Sequence, residues 1–224
     1  MSDPKILKEF WYDLTDDQRN AILQNCHEEY DKFLTGKEFD VGVVKRYIKV
    51  DDKRFIDCAK DGNLEFVKMY IQLGANIHAE DDAALQRASR NRHLEVIKYL
   101  VKQGAHIHAK GGWSLQHASE YGHLDVVKCL VECGANIHAG DDLSLTWAAE
   151  NGHLNVVKYL VEQGADLHTR KDLAVRWAAF EGHLDVIKYL VEQGADIHVE
   201  DNCALRWADE NGHTKVVEYL KSLG

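Results

Sequence analysis

The chain has 224 residues, of which 45% are hydrophobic and 29% charged, a balance that fits a packed, soluble protein and excludes a disordered one. Asp and Glu outnumber Lys and Arg by 37 to 27, for a formal charge of −10; with no basic run to offset it, a phosphate backbone would be repelled. No apolar run approaches the ~18 to 20 residues of a membrane span, and the opening MSDPKILKEFWYD lacks the basic start and apolar centre of a signal peptide.

Residues 1–50 show three helical segments. Ser2 or Asp3 can cap the first, with Pro4 at its opening position and Ile6, Phe10 and Trp11 on its apolar side. Thr15 and Gln18 form a capping box for the second, whose stripe of Ile22, Cys26, Tyr30, Phe33 and Leu34 ends at Gly36. The third opens at Asp40 and carries Val44, Tyr47 and Ile48, weakened by Gly42. Two roles are open to this region. It can cover the apolar flank of residues 51–80, as a helical cap, or it can dock a second partner.

From residue 51 onward the chain repeats itself. Gly74, Gly104, Gly134, Gly164 and Gly194 recur every 30 residues. A strict period in this range marks units that cannot bury their apolar faces alone and must stack on neighbours. The units run 51–80, 81–110, 111–140, 141–170, 171–200 and an incomplete 201–224. Each opens with a short polar turn, Asp141-Asp142 for example, expected to supply the N-cap of a first helix such as 143–150. A turn at Asn151-Gly152 comes next. The second helix, expected over 154–163, carries Val156, Val157, Leu160 and Val161 at helical spacing, and Gly164 can end it with a positive φ.

The wording GHLNVVKYLVEQGADLH, present in variant form in every unit, resembles the ankyrin repeat. The resemblance covers residues 51–224 and implies an all-α solenoid of stacked helix pairs whose first helices line a concave, protein-binding face. The family's period is about 33 residues with a Thr-Pro-Leu-His start; this chain repeats at 30 and its one proline is Pro4. The missing residues fall between the exit of one unit and the first helix of the next, so the family's β-hairpin finger is expected to shorten to a tighter turn. The 30-residue version is similar to the ankyrin arrays of giant amoeba-infecting DNA viruses of the mimivirus kind, which implies a protein of the host cell's cytoplasm or nucleus.

Stacking the units turns the sequence into columns. Leu85, Leu115, Leu145, Val175 and Leu205, with Ala88, Ala118, Ala148, Ala178 and Ala208, are the expected first-helix core. Five cysteines follow no paired spacing and read as reduced thiols in an intracellular compartment; Cys129 and Cys133 stand where other units carry Tyr or Met and Gln or Leu. The turn histidines His93, His123, His153, His183 and His213 and the exit histidines His78, His108, His138, His168 and His198 are evenly spaced. Copies so spaced do not converge on one metal or one active site, and by resemblance the turn histidines bond neighbouring backbone. The exit histidines occupy the family's hydroxylated Asn position, so the resemblance implies hydroxylation targets there. Asp125 with Lys128, and Asp185 with Lys188, are expected as exposed i, i+3 pairs.

The informative variation lies on the first helices. One column reads Asp57, Arg87, His117, Trp147, Trp177, Trp207, and three residues later stand Lys60, Arg90, Glu120, Glu150, Phe180, Glu210. The tryptophans admit two readings, packing between adjacent first helices and an aromatic anchor for a partner. Trp113 and Tyr121 break their own columns and are the stronger contact candidates. No nucleophile with a base, glycine-rich phosphate loop or clustered metal ligand stands outside the columns, so no catalysis, cofactor or metal is expected. The expected protein is a monomeric scaffold that binds another protein through Arg87, Arg90, Trp113, His117, Tyr121, Trp147, Trp177, Phe180 and Trp207. The alternative is an adaptor that links its target, through residues 1–50, to machinery such as a ubiquitin ligase.

Overall fold

The computed structural model describes residues 15–17, 19, 20 and 50–224. Within the first stretch residues 16, 17, 19 and 20 are helical, and the Arg19 N–H donates to the Thr15 carbonyl at 2.9 Å. The rest of the helical cap expected over residues 1–50, Cys26 included, lies outside the described residues.

Between residues 52 and 222 stand twelve helices in six pairs, with no strand among the described residues. They are α1 (Asp52–Lys60) and α2 (Leu64–Leu73); α3 (Ala79–Arg90) and α4 (Leu94–Lys102); α5 (Ala109–Glu120) and α6 (Leu124–Glu132); α7 (Leu143–Glu150) and α8 (Leu154–Glu162); α9 (Leu173–Glu181) and α10 (Leu184–Glu192); α11 (Val199–Glu210) and α12 (Thr214–Ser222). None is long and apolar enough to cross a membrane.

The described residues fall into two compact bodies, one comprising those up to Ala88 together with Glu95–Ala105, the other Ser89–Leu94 with His106–Gly224. In the first body α1 packs on α2, and Phe55, Ile56, Val67, Leu85, Ile97 and Leu100 are buried. In the second, α5, α7, α9 and α11 pack side by side in one layer, and α6, α8 and α10 in another. Each first helix also packs on the second helix of its own unit. That is an all-α repeat solenoid. The alanine column is fully buried because helices at this spacing leave room for a methyl group and nothing larger. Val126 and Val127, Val156 and Val157, and Val186 and Ile187 fill the space between layers. Leu205 differs from the other members of its column: it is half-buried, while Leu85, Leu115, Leu145 and Val175 are closed off. The four described cysteines, Cys58, Cys129, Cys133 and Cys203, are not joined in disulfides.

The connection between units departs from expectation. Three consecutive residues adopt left-handed backbone in each: Glu80-Asp81-Asp82, Lys110-Gly111-Gly112, Gly140-Asp141-Asp142, Arg170-Lys171-Asp172 and Glu200-Asp201-Asn202, with φ between 50 and 86°. Most of these are not glycine, and a left-handed residue with a Cβ costs of order 1 kcal/mol or more. Asp142 does not cap its own helix. Its φ is 54°, and its carboxylate turns away to accept from the Asp166 N–H at 3.1 Å and from His138 Nδ1 at 3.0 Å. Asp51, with φ −97°, is the expected N-cap, accepting from the Lys53 N–H at 2.9 Å. Contacts of this kind offset the backbone strain, and the clipped finger becomes one left-handed turn.

Candidate functional site

A periodic frame of polar contacts holds the units in register. His123, His153, His183 and His213 each donate from Nε2 to a carbonyl of the preceding first helix, those of Arg90, Glu120, Glu150 and Phe180, at 2.8 to 3.0 Å. None of these side chains caps the helix it precedes. In the first unit Asn63 fills that position and is an ordinary N-cap, accepting from the Phe66 N–H at 3.3 Å. Burial lowers the pKa of His153; the carbonyl of Glu120 works against this, and the neighbouring His123 and His183 add to it. Its ring is neutral at pH 7 and has the tautomer with hydrogen on Nε2 that the carbonyl requires.

The exit histidines form the second half of the frame. Nδ1 of His78, His138 and His168 donates to the carboxylates of Asp82, Asp142 and Asp172 at 3.0 Å, and His198 meets Asn202 at 2.7 Å. The aspartates are buried and the rings 41 to 61% exposed, so each histidine covers a carboxylate that reaches inward. Asp172 accepts in addition from the Asp196 N–H at 3.0 Å, and Asp52 from that of Asn76 at 2.8 Å. In the 111–140 unit the acceptor is missing: Gly112 takes the place of aspartate, and a Cβ there would lie 3.0 Å from Ala139 Cβ. His108 is exposed like the other exit histidines. The aspartate column is absent from the expected core and site residues, although its 30-residue recurrence at Asp52, Asp82, Asp142 and Asp172 is a visible signal.

Against this frame the first-helix face carries the variation. Its aromatic residues form two groups. His117 has its ring centroid 5.7 Å from that of Trp113 and 6.0 Å from that of Trp147, and its Nδ1 lies 3.0 Å from Glu120 Oε2. Trp177 lies 5.3 Å from Phe180 and 5.6 Å from Trp207, and Phe180 lies 5.8 Å from Trp207. Trp147, Trp177, Phe180 and Trp207 are half-buried. Trp113 and Tyr121 are more open, at 41% and 38%. Tyr121 accepts from Arg90 Nε and Nη2 at 3.0 and 2.5 Å, with the guanidinium 5.0 Å over its ring. Arg87 is an exposed residue of α3.

On α9 and α11 the charges are sorted by helix end. Arg176 donates to the carbonyls of Lys171 and Arg170 at 3.0 and 2.7 Å, and Arg206 to that of Glu200, all beside the left-handed turns. At the opposite ends stand Glu120, Glu150, Glu181 and Glu210. Burial, reinforced by the charges of Glu181 and Glu120, raises the pKa of Glu150 above the ordinary carboxylate value. Glu181 does not stand out in the sequence because it comes after Phe180, which interrupts the acidic column.

The exposed pairs expected on the second helices re-form elsewhere. Asp125 pairs with Arg92 at 3.1 Å, and Lys128, Lys158 and Lys188 each lie 5.5 Å over the tyrosine ring of the next unit, Tyr159, Tyr189 and Tyr219. The i, i+3 geometry does hold Lys68 to Glu65 and Lys98 to Glu95.

The family model for ankyrin repeats (3 copies) matches residues 55–141, 114–171 and 145–224. Comparison with curated proteins gave no match.

Proposed function

The chain belongs to the ankyrin repeat family, and from that premise we propose that it is a non-catalytic, monomeric scaffold that binds another protein on its first-helix face. Ankyrin repeats are generally protein–protein interaction modules. One observation carries the assignment of the face. Among the described residues the exposed large apolar side chains are Trp113, Tyr121 and Leu223, and the first two stand at positions where the other units carry different residues. Packing common to all units does not require them, whereas aromatic side chains of this kind anchor protein interfaces. Arg90, His117, Trp147, Trp177, Phe180 and Trp207 extend the same face, and Arg87 of α3 is a further contact candidate. Within this reading the protein acts inside a cell, in cytoplasm or nucleus, and its 30-residue period supports an origin in a giant DNA virus.

Affinity capture from lysate of the native host cell tests the proposal, with wild type compared against Trp113→Ala, Tyr121→Ala and, at the exposed end of α8, Gln163→Ala. Loss of one and the same partner with the first two and its retention by the third is the expected result. Equal retention, or equal loss, by all three overturns the placement. The adaptor alternative rests on residues 1–50 and predicts that their deletion releases a second protein while the first stays bound.

A further inference from the structure

We infer that the partner presents a cationic segment to the first-helix face of residues 143–210, an Arg or Lys head group lying at Glu150 and its stem against the neighbouring tryptophan rings. This rests on the scaffold reading above and gives its partner a chemistry.

Helix polarity makes the first argument. The C-terminal end of a helix carries about half a negative charge, so basic residues are favoured there and acidic ones disfavoured. The chain obeys that rule early, with Lys60 in the last turn of α1 and Arg90 at the end of α3. It then reverses the rule four times in succession, ending α5, α7, α9 and α11 with Glu120, Glu150, Glu181 and Glu210. Because these helices pack side by side, their negative ends and the carboxylates reinforce one another.

The chain does not neutralise this row itself. Glu120 meets His117, but Glu150 makes no ion pair among the described residues and is half-buried between Glu120 and Glu181, which is why its proton is held more tightly than usual. Arg176 and Arg206, the basic residues of α9 and α11, are held at the other ends of their helices by backbone carbonyls. A cation supplied from outside would relieve the repulsion among three carboxylates at once.

The aromatic column supplies the second half of the recognition. Trp147 and Trp177 each lie one turn before the carboxylate end of their helix, and ring faces attract ammonium and guanidinium groups. Rings of this same face already hold cations of the chain: Lys110 lies 4.9 Å over Trp113 and Arg176 5.8 Å over Trp207. A polyanionic partner would meet the opposite field, in a chain of net charge −10.

Fluorescence anisotropy with the full chain tests the inference, using a labelled octapeptide of alternating Arg and Gly and its Glu-Gly counterpart. The double variant Glu150→Gln/Glu181→Gln is compared with Glu162→Gln/Glu192→Gln, which removes the same charge from the exposed ends of α8 and α10. The Arg-Gly peptide is expected to bind and the Glu-Gly peptide not to bind. Affinity should fall about tenfold in the first double variant, the equivalent of about 1.4 kcal/mol, and by less than about twofold in the second. Equal weakening by both variants reduces the effect to net charge and overturns the site, as does equal binding of the two peptides or binding of neither. A partner still captured through Trp113 when the Arg-Gly peptide fails would leave the scaffold reading in place and remove the cationic segment alone.

Discussion

The imidazole of His153 lies directly over Gly122 of the preceding unit, so close that a methyl group on that glycine would stand 2.6 Å from Nδ1. The same relation joins Gly152 to His183 and Gly182 to His213. Glycine is needed there twice, for φ near +70° and for room beneath the ring. Gly122→Ala is therefore expected to destabilise by roughly 2 to 4 kcal/mol, combining left-handed strain with displacement of His153. Gly164→Ala, where φ is +96° but nothing lies within 4 Å, should cost about 1 kcal/mol. Urea midpoints of the two variants, compared at equal slope, separate the two effects.

Asp142 is a buried acceptor with partners on both sides. Its replacement by alanine strands the Asp166 N–H and His138 Nδ1, with a third donor, Thr169 Oγ1, at 3.3 Å. A loss of about 2 to 4 kcal/mol is expected for Asp142→Ala. Asp142→Asn keeps an oxygen acceptor and a side chain that tolerates left-handed backbone, so it should lose less than half as much. Chemical denaturation of the two variants side by side is the measurement, and equal losses would contradict the acceptor role.

Burial separates two leucines of one column. Leu145 is closed off and Leu205 half-buried, so Leu145→Ala should destabilise by about 2 to 5 kcal/mol and Leu205→Ala by clearly less. An unchanged urea midpoint for Leu145→Ala would refute the packing of α7.

Two groups give the stability opposite slopes with pH. The pKa of Glu150 is higher in the folded chain than the unfolded value of about 4.3, so its charge opposes folding at neutral pH. That penalty fades as the pH falls through the folded value and is gone below the unfolded one. Glu150→Gln should accordingly raise the urea midpoint at pH 7 and leave it nearly unchanged near pH 4.

For His153 the folded pKa is lowered, so its contribution is complete above the unfolded value of about 6.5 and is lost as the pH falls below it, through the folded value. The decline of stability between pH 7 and pH 5 should be shallower in His153→Asn than in wild type, although the variant is less stable throughout. Parallel pH profiles would show that His153 does not titrate with folding.

Arg92 holds a left-handed conformation, φ 63°, at the turn position that is glycine in all five other units, and its guanidinium reaches Asp125. Release of strain outweighs the loss of an exposed ion pair worth at most about 1 kcal/mol. Arg92→Gly should therefore stabilise the chain slightly, by less than about 1 kcal/mol. Asp125→Asn, which removes the pair and keeps the strain, should not stabilise it; a thermal melt of each variant compares the two.

By itself the sequence determined the period, the helix pairs and the apolar columns. Each comes from signals a few residues apart, such as the Val156-Val157 pair, the turn glycine Gly152 and the left-handed Gly164, repeated until chance was excluded. Which polar residues meet was decided only in the tertiary structure. Asp142 reads as a cap because its chain neighbours suggest one, yet its partner Asp166 lies 24 residues on, and the carbonyl that His153 finds lies 33 residues back. Left-handed triplets such as Arg170-Lys171-Asp172 have no local preference for that conformation. They adopt it because stacked units leave only a short span to cross and reward it with buried hydrogen bonds. The acidic row ending at Glu210 likewise arises from helices laid side by side, since their contact brings together charges that the chain keeps about 30 residues apart.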